Sequence, residues 1–200
     1  MKTIWIVLFS VAAATLAAVG CGASSYNNLV RLDQAAQSQW AQVENVYQRR
    51  LDLIPNLVAT VKGAAAFEKD TFTAVTEARS RAAQLTAASQ RAPADTESLQ
   101  RFQRAQDELG STLSKLMLVV EGYPELRATQ NFRDLQAQLE GTENRITVER
   151  MRFNEAAQAF NTARDSLPAT LFANLFGARF REKPYFQAAP GSEVAPKVAF

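Results

Sequence analysis

Polar residues of both charges gather in two stretches far apart in the chain. QRRLDLIPN carries Arg49, Arg50, Asp52 and Asn56 around Pro55, and GTENR carries Glu143, Asn144 and Arg145. A guanidinium facing a carboxylate makes charge-assisted hydrogen bonds, a chemistry of recognition and of register. Catalysis by such carboxylates would need a partner acid or base, or a metal, within reach. The chain has no histidine, which removes Ser-His and Cys-His nucleophile systems and every His-bearing zinc or iron site. Nor does it contain a phosphate-binding loop, a CxxC pair or a nucleophile elbow. The expectation is therefore a protein that is not an enzyme, with no catalytic residue, cofactor or metal.

The elements that would position these residues are helices. Few Gly and Pro against many Ala, Gln, Leu, Arg and Glu favour helix over sheet. From Leu29 onward one heptad position reads Leu29, Ala36, Val43, Arg50, Leu57, and the other reads Asp33, Trp40, Tyr47, Ile54, Val61. Arg50 thus falls where an apolar residue belongs, and the stripe runs straight through Pro55. Two readings fit that proline. Asp52 caps a new helix with Pro55 in its first turn, or Gly63 ends the first helix and Pro55 kinks it. The second pairs the longest helices at the two ends of the chain.

SQRAPADT, residues 89–96, is a loop, with Pro93 barring helix and Asp95 or Thr96 able to cap the next one. The helix that follows has an almost wholly apolar seam, Leu99, Gln106, Leu113, Val120 with Phe102, Leu109, Leu116, Tyr123, and EGYPEL ends it. The last long helix repeats Phe132, Leu139, Ile146, Phe153, Phe160 and Leu167 at one heptad position. Such a stripe demands a partner surface. Four helices with short connections predict an all-α, antiparallel up-down-up-down four-helix bundle over 21–167. An intermolecular coiled coil competes with it, but the loops at Pro93 and Pro124 favour folding back. Over 168–200 a short amphipathic helix opened by Pro168 and an extended, aromatic-rich tail are expected to pack on the bundle, or to dock on a membrane or partner.

The first residues, MKTIWIVLFSVAAATLAAVGC, place one cation before an uncharged run from Ile4 to Val19. That run would span about 24 Å as a helix, short of the roughly 30 Å hydrocarbon core. It reads as a signal segment, residues 1–20. AVGC resembles a bacterial lipobox, with Cys21 the lipid attachment point; Ala18 stands where leucine is more usual. The competing reading is an uncleaved signal anchor with Cys21 an ordinary thiol. Either way the bulk of the chain is expected outside the cytoplasm, in the bacterial cell envelope. Gly22, in place of an inner-membrane-retaining aspartate, leaves an outer-membrane address open. The formal net charge is only +2, one unit of it from Lys2 in the leader, which argues against a nucleic-acid partner.

If the first and last long helices run antiparallel, Arg50 lies about as far from the start of one at Tyr26 as Glu143 lies from the end of the other at Ser166. Arg49, Arg50, Asp52, Asn56, Glu143, Asn144 and Arg145 would then form a polar cluster at mid-bundle. It would serve to fix register, or to bind a partner or ligand.

YNNLVRLDQAAQSQWAQVENVYQRRLDLIPNLVATVKG, YPELRATQNF, EGTENRI, KPYFQ and the terminal APKVAF together resemble the LemA family, in order along nearly the whole chain beyond the leader. The resemblance implies a membrane-attached bacterial four-helix bundle without an established biochemical role. It also allows a cytoplasmic bundle, which Cys21 weighs against. It further implies a protein partner in the envelope, with a membrane protease as one candidate. The chain departs from the family's usual pattern at Ala64 and Phe67, where tyrosine and histidine are common, so no activity resting on that histidine carries over.

Overall fold

The computed structural model describes residues 2–64, 69–89, 91–175, 177 and 179–187. All regular structure among them is helical. The elements are α1 (Lys2–Ala64), α2 (Lys69–Ala88), α3 (Thr96–Val120), the short α4 (Pro124–Ala128), α5 (Gln130–Asp165) and α6 (Ala169–Leu175). Phe67 and the terminal APKVAF lie outside the described residues.

The heptad spacing becomes burial. Leu29, Ala36, Val43, Arg50 and Leu57 of α1 are all buried, as are Trp40, Tyr47, Ile54 and Val61. On α5 the series Phe132, Leu139, Ile146, Phe153 and Phe160 is buried, but Leu167 is not. It lies past the last turn of α5 and is 77% exposed. The seven-residue spacing carries on beyond the helix that gives it meaning.

α1 packs most extensively on α5, α2 on α3, and α1 on α2, with α6 seated against both α1 and α5. Trp40 touches Phe153 and Arg50 pairs with Glu143, so α1 and α5 run in opposite directions. Arg81 meets Glu108 while Thr86 meets Gln106, so α2 and α3 do too. The apolar interior falls into three successive clusters. One surrounds Leu29, Phe160 and Phe180, one surrounds Trp40, Phe102 and Phe153, and one surrounds Ile54, Leu109 and Phe132.

α1 does not restart at Asp52. It passes Pro55 and continues to Ala64, so the first reversal of the chain follows Gly63, and Asp52 hydrogen-bonds Gln48 on the outer face. α3 is capped by Asp95 rather than Thr96, its carboxylate accepting the Ser98 N–H at 2.7 Å. α1 also extends upstream without a break from the body through Cys21 to Lys2. Over that stretch Ile4, Trp5, Ile6, Leu8, Phe9, Val11, Leu16 and Val19 are exposed. By length and composition this end of α1 suffices to cross a membrane, and among the described residues none of its most apolar window is buried in the protein. Residues 181–187 form an extended segment lying along α5.

Candidate functional site

Arg50 is 3% exposed, and a buried cation must be paired. Its Nη1 donates to the Glu143 carboxylate at 3.0 and 3.3 Å. Its Nη2 donates to the Gln106 main-chain carbonyl at 3.1 Å and to the Gln106 side-chain oxygen. Gln106 in turn donates to the Thr86 hydroxyl at 3.0 Å, and Thr86 donates to the Ala82 carbonyl. The Tyr47 ring faces the guanidinium, 5.1 Å from its centroid. One hydrogen-bonded layer therefore touches all four long helices. It separates the apolar cluster around Trp40 from the one around Ile54. Burial raises the Tyr47 pKa, opposed by the positive charges of Arg150 and Arg50.

Of the residues the sequence suggested for this cluster, Arg50 and Glu143 meet. Arg49, Asp52, Asn56, Asn144 and Arg145 are exposed and stand apart from the layer. Successive helical residues point about 100° apart, so a polar run in sequence cannot share one buried face. The layer is completed by Gln106 and Thr86, from helices that no local pattern around Arg50 could indicate. Gln106 is the one polar side chain at its heptad position in α3, a signal the sequence reading did not take up.

Pro55 has its own partner. Lacking an N–H, it leaves the Leu51 carbonyl four residues back without its helical donor. Arg79 of α2 donates its Nε–H to that carbonyl at 2.9 Å. The proline ring is exposed, while the carbonyl it frees becomes a hydrogen-bonded contact between α1 and α2.

Beside the layer, α3 and α5 line a groove of about 760 Å³. Its apolar wall is Leu113, Met117 and Leu118 from α3 and Leu139 from α5. Three carboxylates, Glu121, Glu140 and Glu143, line it with no Lys or Arg among the lining residues. Glu143 belongs to both structures, because one side of its carboxylate holds Arg50 while its side chain is 45% exposed. A Cβ added to Gly110, at the groove wall, would meet nothing within 4 Å. Among the described residues no group of three or more His, Cys, Asp or Glu is placed to hold a metal. Such a groove suits an apolar segment carrying cations.

The model of the LemA family matches residues 39–200, which include Arg50, Pro55, Gln106, Glu143 and the tail. The chain belongs to the LemA family. Among similar LemA-family chains, Magnetosome protein MamQ 1 and MamQ 2 of Paramagnetospirillum magneticum are each 25% identical to it over 187 residues. These matches cover 84% of this chain and 67% of theirs. Magnetosome protein MamQ of Magnetospirillum gryphiswaldense matches at the same identity and coverage. With the membrane-length apolar end of α1, family membership makes this a membrane-associated helical LemA protein.

Proposed function

We propose that the protein is a membrane-anchored adaptor or scaffold of the bacterial cell envelope. Its body is an antiparallel up-down-up-down four-helix bundle of α1, α2, α3 and α5. The groove between α3 and α5 receives a segment of a membrane-protein partner, a membrane protease being the expected class. The observation that carries this reading is the groove itself, with an apolar wall, an acidic lining and Glu143 held by the buried Arg50. Charge complementarity selects a partner segment with an apolar face and Lys or Arg beside it. The exposed Leu167 and Leu171 lie at the end of the body from which the apolar end of α1 emerges, which supports attachment by that end.

A photoreactive amino acid at Leu118, in the groove, tests the reading in intact cells. The expected result is one membrane-protein adduct that is absent when the probe replaces Gln42 on the outer face of α1. Identical background from both positions would overturn the adaptor role. A lipid or free peptide in the same groove is the competing occupant, and native mass spectrometry from the membrane distinguishes it by mass.

Cys21 as the lipid attachment point, with an extracytoplasmic body, belongs to the same proposal. Against it stands the signal-anchor reading, with a cytoplasmic bundle as its alternative topology; the unbroken course of α1 through Cys21 supports the anchor and is silent on the side. The mass of the mature N-terminus decides between them. A diacylated Cys21 supports the lipoprotein, and an intact Met1–Gly20 leader overturns it.

A further inference from the structure

The extended tail segment is held on α5 by side chains that read main chain. The Asn161 amide accepts the Lys183 N–H at 2.8 Å and donates to the Lys183 carbonyl at 2.9 Å. Seven residues earlier on the same face, the Asn154 amide accepts the Phe186 N–H at 2.8 Å and donates to the Phe186 carbonyl at 3.0 Å. The Gln187 carbonyl takes Gln103 at 2.8 Å and Arg150 at 2.9 Å.

The spacing has a simple cause. Two helical turns advance about 10.5 Å, and three extended residues advance about 9–10 Å. Asparagines seven apart on a helix therefore meet every third peptide unit of an extended chain running the other way. Their pairing with backbone N–H and C=O is indifferent to side chains, and Asn161 adds one side-chain contact, to the Tyr185 hydroxyl.

Selectivity comes from two pockets. Phe186 stacks on Trp40 with centroids 6.0 Å apart, meets the edge of Phe153, and lies under the Arg150 guanidinium at 4.7 Å. The Lys183 ammonium pairs with Asp33 and sits 5.0 Å from the Phe160 ring centroid. Pro184, between them, is buried, and the Tyr185 hydroxyl accepts from the Asn161 amide at 2.9 Å.

We infer that this surface of α1, α3 and α5 is a peptide-binding site for an extended segment of the form Lys-Pro-Tyr-Phe. The site accepts such a segment from another protein chain, and the protein's own Lys183–Gln187 is its resident occupant. The cation specifies one end, the aromatic ring the other, and the asparagine pair the extended conformation between. This site is separate from the groove between α3 and α5 and does not depend on what that groove binds.

The test uses the full chain in lipid nanodiscs and a fluorescent peptide, Arg-Glu-Lys-Pro-Tyr-Phe-Gln. Lys183→Ala with Phe186→Ala weakens the resident tail, and this chain should bind the peptide saturably. Adding Asn154→Ala and Asn161→Ala should weaken that binding about tenfold or more. A peptide with Ala at its Lys and Phe positions should not bind. If a folded Lys183→Ala, Phe186→Ala chain fails to bind, or binds equally well without the asparagines, the inference is wrong. Should that variant not fold, the wild-type chain is challenged with a peptide carrying benzoylphenylalanine at the Phe position. Crosslinks mapping to Trp40, Phe102 or residues 150–161 support the site, and none at saturating peptide overturns it.

Discussion

Arg50 and Glu143 form an ion pair whose two members should respond unequally to substitution. Replacing Arg50 by Met removes a desolvated cation and leaves an apolar side chain of similar length among Tyr47, Gln106 and Glu143. Stability should fall by about 2–3 kcal/mol, because the Gln106 side-chain oxygen, buried with its residue, loses the donor that satisfies it. Glu143→Ala instead strands the cation, and should cost about 1–2 kcal/mol. That value is discounted from the roughly 3–5 kcal/mol of a fully buried pair because Glu143 is half exposed and water can replace it. Urea melts of the two variants give the ranking, and a smaller loss in Arg50→Met than in Glu143→Ala would contradict it. Pro55 and Arg79 invite a thermodynamic cycle. Arg79→Met leaves the Leu51 carbonyl without a donor and should cost about 1–2 kcal/mol. In a Pro55→Ala background the restored helical N–H serves that carbonyl, so most of the Arg79 penalty should vanish. Additive losses would mean that the arginine contact does not answer the proline.

Among the helices, α3 has a terminus with an ionisable cap. The Ser98 N–H hydrogen bond holds the Asp95 carboxyl below its ordinary value. A depressed folded-state pKa means that the carboxylate favours the folded protein at any pH above the unfolded value, near about 3.9. That contribution is lost as pH falls through the lower folded-state value. Asp95→Asn keeps a capping oxygen but carries no charge. The difference in melting temperature between wild type and Asp95→Asn should therefore be constant above about pH 5 and shift in favour of the variant on acidification below about pH 4. A difference independent of pH would rule out the carboxylate cap. α1 and α5 carry less local instruction at their middles, because their partners across the interior set which residues are buried. Arg49 and Arg50 are chemically alike, yet one is solvated and the other enclosed.

The whole molecule divides α1 into two environments. Among the described residues, none of the apolar window near its N-terminus is buried within the protein, and the first apolar cluster begins near Tyr26 and Leu29. Deleting residues 2–20 should therefore leave the body folded, with a urea midpoint within experimental error of the parent in detergent. It should also release the protein from membranes. Loss of cooperative unfolding on truncation would show that the apolar end stabilises the body directly. At the other end of the chain, Phe186 joins a ring cluster with Trp40 and Phe153. The tail is thereby part of the interior, even though it contributes no helix.

The sequence by itself determined the helices and their inward faces, because a seven-residue apolar repeat can be satisfied only by burying one stripe. It also marked Arg50 as a polar intruder in that stripe, and the family motifs placed the chain among LemA proteins. The fate of each intruder was a tertiary matter. Gln106 and Thr86 reach Arg50 from helices tens of residues away, Arg79 finds the carbonyl that Pro55 frees, and the tail lies antiparallel to α5 on a pair of asparagines. None of these pairings has a local period. Hydrogen bonds between distant elements depend on where helix packing sets each side chain, and that register exists only once the interior has closed.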